Sequence, residues 1–177
     1  NGVYNIINNE FISSLEPAIV NGLGEALTLS NPADTLNGLS EISVLVNIQS
    51  NQIGTNKGIF DTEASDSADD ALALRYDSSG YFGGGTNVIK AALQTTNGVV
   101  QIESSSNLQT TELQHIVFTW KSGEGLKLYI DGVEDTLTYS SGSVTGEIIG
   151  VEDLVIGRGS HDYGSNGWDG AITDFQI

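Results

Sequence analysis

Leu113–Thr136 reads LQHIVFTWKSGEGLKLYIDGVEDT, and its period decides the fold class. Ile116, Phe118 and Trp120 fall at every second position, as do Leu126, Leu128 and Ile130. A two-residue period puts alternate side chains on one face of a strand. Asp131-Gly132 then supplies two residues that tolerate the positive φ of a two-residue hairpin turn, so the chain is expected to return antiparallel from Val133. The same period recurs upstream, where Ile42, Val44, Val46 and Ile48 alternate with Ser43, Leu45, Asn47 and Gln49. Further strands are expected at Tyr4–Ile7, Ala26–Leu29, Gly58–Phe60, Ala71–Tyr76, Val88–Thr95, Val99–Glu103, Leu154–Ile156 and Ala171–Ile177. Helical periodicity is nearly missing. Roughly ten to twelve strands are more than one flat sheet holds comfortably, so the expectation is an all-β sandwich of two packed antiparallel sheets. The Ser-rich stretches Ser104–Ser106 and Ser140–Ser143 read as loops.

Composition agrees with a single turn-rich domain over 1–177: 177 residues, 22 Gly, 2 Pro, no Cys and no Met. Six basic residues against 23 acidic ones give a net charge of −17. That excess repels phosphate backbones and anionic lipid surfaces, which excludes nucleic acid and membrane insertion among the partners and favours a monomer. The absence of cysteine removes disulfide scaffolds and thiol chemistry. A chain that opens on Asn1 and holds no methionine reads as a piece of something longer, with neighbouring domains.

The second half, LQHIVFTWKSGEGLKLYIDGVEDT followed by EDLVIGRGSHDYGSNGWDGAITDFQI, resembles the laminin-G-like, concanavalin-A-like jelly roll. A strand ending in Trp, a hairpin carrying LYIDG, an IG strand, a loop and then W-D-G-x-I-x-D-F carry that resemblance. NGLGEALTLS and LNGLSEISVLVNIQ resemble the first strands of the same fold, so the likeness covers nearly the whole chain. It implies a recognition domain, and core positions for Phe118 and Trp120. The acidic, cysteine-free form with GIFDTE and DDALALRYD is similar to modules of large secreted bacterial adhesins. That implies an extracellular, cell-surface location and a glycan or other cell-surface ligand.

Asp61, Glu63, Asp66, Asp69, Asp70 and Asp77 place six carboxylates within seventeen residues. Such crowding stores repulsion unless solvent or a cation absorbs it, and Ca²⁺ prefers clusters of oxygen ligands. The resemblance to calcium-dependent pentraxins, jelly rolls of the same general kind, implies a Ca²⁺ site. There Asp69-Asp70 before a strand would be joined by Asp162 from the late loop, completed by Asp66 or by main-chain carbonyls. The alternative is a solvated acidic loop. Neither an EF-hand loop nor a calcium β-roll repeat is present. Tyr163, Asn166 and His161 are the expected sugar contacts, an aromatic ring for stacking beside amide and imidazole groups. Trp168 is a further ligand candidate, weighed against the reading that it closes the end of the sandwich. Arg158 is open to pairing with either Asp153 or Asp169.

An enzyme is not expected. The E-x-D-x-x-E strand of the glucanases is absent, as are G-x-S-x-G, H-E-x-x-H and a phosphate-cradling loop, and the chain has two histidines, His115 and His161. The functional expectation is a calcium-binding extracellular recognition module that contacts glycans. The rival is a spacer domain whose calcium only rigidifies loops.

Overall fold

The structure, a computed structural model, describes residues 18–21, 26–29, 32–62, 71–79, 85–158 and 167–177. Two antiparallel sheets face each other. Sheet A takes the order β1 (Ala18–Asn21), β13 (Asp169–Gln176), β3 (Glu41–Ser50), β8 (Gln114–Lys121), β9 (Gly125–Ile130) and β10 (Val133–Glu134). Sheet B takes the order β11 (Tyr139–Gly142), β7 (Gly98–Glu103), β6 (Thr86–Thr95), β5 (Leu72–Ser79), β4 (Lys57–Asp61), β12 (Leu154–Ile156) and β2 (Leu27–Leu29). The expected sandwich is therefore the observed one.

The alternating residues do what their period dictates. Ile42, Val44, Val46 and Ile48 of β3 and Ile116, Phe118 and Trp120 of β8 all point into the core. Phe60 of β4 bridges the layers, stacked on Phe118 at 6.0 Å and edge-on to Phe175 at 5.3 Å. The hairpin at Asp131-Gly132 forms with φ of 52° and 81°, and Val133 and Glu134 return against Ile130 and Tyr129.

Three departures have physical reasons. Ser140–Ser143, read as a loop, contributes to β11, an edge strand on β7 whose exposed positions need no apolar alternation. Ala33–Leu36 forms a one-turn helix, α1, too short to show a period, which buries Leu36. Ala18–Asn21, a short edge strand, escaped the pattern for the same lack of length. The strand expected at Tyr4–Ile7 lies outside the described residues.

Candidate functional site

The outward face of sheet A breaks the alternation that built its core. Leu45, Val117 and Tyr129 stand opposite one another across β3, β8 and β9, on the face where a solvent-exposed strand should be polar, and all three are half-buried. The result is an apolar strip with an aromatic ring at one end. Its neighbouring row holds Asn47 and His115, paired in register on β3 and β8. Tyr129 and His115 are thus diagonal neighbours, about 7–8 Å apart at the backbone.

A third strand orients this row. After Thr173, β13 slips register so that Asp174 and Phe175 together oppose the one residue between Asn47 and Leu45. Such a bulge re-aims side chains. Phe175 turns into the core while Asp174 turns outward with φ of 50°. Its carboxylate accepts a hydrogen bond from Asn47 Nδ2 at 2.8 Å, and Asn47 Oδ1 lies 2.7 Å from His115 Nδ1. Because Nδ2 is the donor to Asp174, Oδ1 is left to accept, so His115 carries its proton on Nδ1 and keeps Nε2 for another partner. The His115 backbone N–H is held by Asp131 Oδ1 at 2.8 Å. Four side chains from four chain segments are thereby fixed before any ligand arrives.

On the other side of Tyr129 an open groove of about 410 Å³ runs along β3, β8 and β9. Ser43, Thr119 and Lys127 stand in register across its floor, and Glu41, Lys121 and Glu124 close one end. Lys121 bonds Glu124 at 3.1 Å, and that bond, with Glu41 adding its field, holds the ammonium above its ordinary pKa.

The outward face of sheet B is different. Ala73 and Ala92 form a small-residue floor beside Asp61, Asp77, Lys90 and Glu103, all of them buried. Arg75 lies 3.8 Å from Asp77, and Lys90 lies 3.9 Å from Glu103. Among the described residues no group of three or more His, Cys, Asp or Glu side chains is placed to hold a metal ion.

Asp66, Asp69, Asp70, His161, Asp162, Tyr163 and Asn166 lie outside the described residues. The ends of the segments that carry them are described. Residues 63–70 leave β4 beyond Thr62, whose hydroxyl bonds Leu72 O. Residues 159–166 depart past Gly157, which donates to Ile59 O and accepts from Trp168 N. The two departure points are three residues apart along β4, about 10 Å.

Trp168 is described, and it corrects the expectation of a ligand contact. Its ring has no exposed surface, packs edge-on against Tyr76 at 5.1 Å and donates from Nε1 to Ala171 O. It closes the sandwich end. Burial pushes the Tyr76 hydroxyl up to about 12, opposed by its hydrogen bond with the Thr110 backbone, and the same hydroxyl bonds Gln114. On this face His115 reads from the sequence as a structural residue at the start of a strand and Asn47 and Asp174 carry no mark, whereas Leu45, Val117 and Tyr129 leave one legible signal: apolar side chains out of phase on strands of known period.

A family described as the concanavalin A-like lectin/glucanases superfamily, of laminin G type, matches residues 21–177. No curated protein matches. Among solved structures, a protein of Bacteroides ovatus described as carbohydrate-binding is similar at 17% identity and TM-score 0.56, over 82% of this chain and 39% of that one. Mouse laminin α1 domains LG4-5 are similar at 11% identity and TM-score 0.60, over 93% of this chain and 41% of that one. The CBM40 of a Ruminococcus gnavus IT-sialidase, bound to α2,3-sialyllactose, is similar at 10% identity and TM-score 0.56, over 86% and 89%. This chain spans well under half the length of the first two. At such identities these likenesses concern the fold, and the match over 21–177 assigns the family: the chain belongs to the concanavalin A-like lectin/glucanase superfamily.

Proposed function

We propose that the chain is a non-catalytic glycan-binding module of an extracellular bacterial protein, and that it takes its sugar on the outward face of sheet A. The carrying observation is the pre-organised chain Asp174–Asn47–His115 beside the half-buried Tyr129. A sugar presents hydroxyls that both donate and accept, together with flat C–H faces. Asp174 and the His115 Nε2 accept, Asn47 is locked in one orientation, and Tyr129 offers a ring beside the apolar strip. Fixing these groups in advance lowers the ordering cost of binding. The names of the B. ovatus and R. gnavus proteins, carbohydrate-binding and sialyllactose-bound, support the reading.

The proposal keeps Ca²⁺ as a bound ion held by Asp69 and Asp70 together with Asp162, completed by Asp66 or by main-chain carbonyls. The crowding of carboxylates in the sequence supports it. Tyr163, Asn166 and His161 stand as the competing sugar contacts.

The test is a broad glycan array probed with wild type, Tyr129→Ala and Tyr163→Ala, in millimolar calcium and in chelator. The expected outcome is signal on a restricted set of glycans that Tyr129→Ala abolishes and Tyr163→Ala keeps. Loss with Tyr163→Ala alone would move the site to the 159–166 segment. A blank array would overturn the glycan reading in favour of a spacer.

A further inference from the structure

The six basic residues of this chain are not scattered. Lys57, Arg75, Lys90 and Arg158 belong to sheet B or its immediate extension past β12, and each of them has interaction partners. The other two, Lys121 and Lys127, both line the groove on sheet A. Lys121 is committed, bonded to Glu124 and in register with Glu41, so that one ammonium serves two carboxylates. Lys127 is exposed and has no ion-pair partner among the described residues. It stands two residues from Tyr129 on the same face of β9, about 7 Å along the strand. Beside it, in register, are the hydroxyls of Thr119 and Ser43. An uncommitted ammonium, two hydroxyls and an aromatic ring around one groove form a binding set for an anionic group attached to a sugar ring.

The net charge of −17 opposes an anionic ligand, and distance decides the contest. Screening confines each surface charge to about 8 Å at physiological ionic strength. Among the groove's own lining Glu41 and Glu124 are balanced by Lys121 and Lys127, and the exposed Glu134, in register with Tyr129, adds a carboxylate on the β10 side of β9, away from Thr119 and Ser43. An anion that reaches Lys127 from the side of Thr119 and Ser43 meets its ammonium first, with Glu134 one strand farther off on β10.

We infer that the glycan taken by sheet A is an acidic one, whose carboxylate or sulfate is held by Lys127 with Thr119 and Ser43 while its ring lies on Tyr129. This rests on the reading of that face as a glycan site.

The test uses an array of neutral, uronate-, sialate- and sulfate-bearing glycans. Calorimetry then follows with one matched pair, an oligogalacturonate and its methyl ester, which share a skeleton and differ in charge. The array is expected to place its strongest signal on acidic glycans. The free acid should bind about tenfold tighter than the ester at low salt, with the preference shrinking as salt rises. Lys127→Gln should erase the preference and Lys127→Arg should retain it, both melting as wild type does because Lys127 is exposed. Equal binding of acid and ester, a preference that survives Lys127→Gln, or strongest signal on neutral glycans would overturn the acidic subsite while leaving the glycan reading intact. Absence of binding to every glycan would overturn both.

Discussion

At the residue scale, Asp174 carries the clearest conflict between stability and function. An L-residue at φ of 50° pays a conformational cost that glycine avoids, and aspartate is among the residues that tolerate it best. Its outward carboxylate contributes a single exposed hydrogen bond to Asn47, worth about 0.5–1.5 kcal/mol. The two terms nearly cancel, so Asp174→Gly is expected to change unfolding free energy by no more than about 1 kcal/mol. Glycan affinity should fall about tenfold, because Asn47 loses the partner that sets its orientation and with it the proton position on His115. Chemical denaturation and calorimetry on the same samples check this. A large loss of stability with unchanged affinity would make Asp174 a structural residue and remove the polar chain from the site. The sequence could have disclosed half of this. Leu45, Val117 and Tyr129 are visibly out of phase with their strands, whereas Asp174 reaches Asn47 through a bulge, and a one-residue slip within W-D-G-x-I-x-D-F has no signature in the motif itself.

At the scale of elements, the legible parts were those with a long apolar period. β3 and β8 lie where alternation puts them, and so does the hairpin at Asp131-Gly132, because buried faces and turn chemistry act locally. β11 was invisible because an edge strand with polar faces has no period to read. The seam between β13 and β3 shows how a motif residue earns its place. Gly170 has φ of 145°, and a Cβ built there would lie 2.0 Å from the Gln49 carbonyl oxygen on the neighbouring strand. That contact is with backbone, so it cannot be relieved by a rotamer change. Gly170→Ala should therefore destabilise the fold by about 3 kcal/mol or more, through strain at a special φ and loss of the β13–β3 pairing. Because Trp168 and the bulge at Asp174 hang on the same strand, the variant should lose glycan binding together with its fold. Thermal melting with glycan binding on the surviving fraction reads both. A Gly170→Ala protein as stable as wild type would mean that β13 can shift freely against β3, and the pre-organisation argued for Asn47 and Asp174 would fall with it.

At the scale of the whole molecule, the charge of −17 is a standing cost of self-repulsion, and the arrangement of cations shows how it is managed. Four of the six basic residues serve sheet B or its extension past β12, while the run from Asp61 to Asp77 alone holds six carboxylates, so a cation bound from solution would relieve part of its repulsion. If Ca²⁺ does this, it binds the folded chain and stabilises it by mass action, about 2.7 kcal/mol at a concentration one hundred times the dissociation constant. For a domain of this size that corresponds to a rise of roughly 5–10 °C in melting temperature. Millimolar calcium should produce this rise over chelator, and sodium chloride at matched ionic strength should produce a smaller one, since screening relieves repulsion without occupying a site. The variants then report the geometry. Residues 63–70 leave from the end of β4 and residues 159–166 from beyond β12, at points about 10 Å apart, far more than the roughly 2.4 Å reach of a calcium–oxygen bond. A shared ion requires the segments to meet, so Asp70→Asn and Asp162→Asn would each remove the calcium-specific rise. Loss with Asp70→Asn alone would confine the ion to residues 63–70 and separate it from the late loop. Melting that responds equally to calcium and to matched sodium chloride in wild type would reduce the acidic run to a solvated loop, and sheet A would then bind its glycan without a metal.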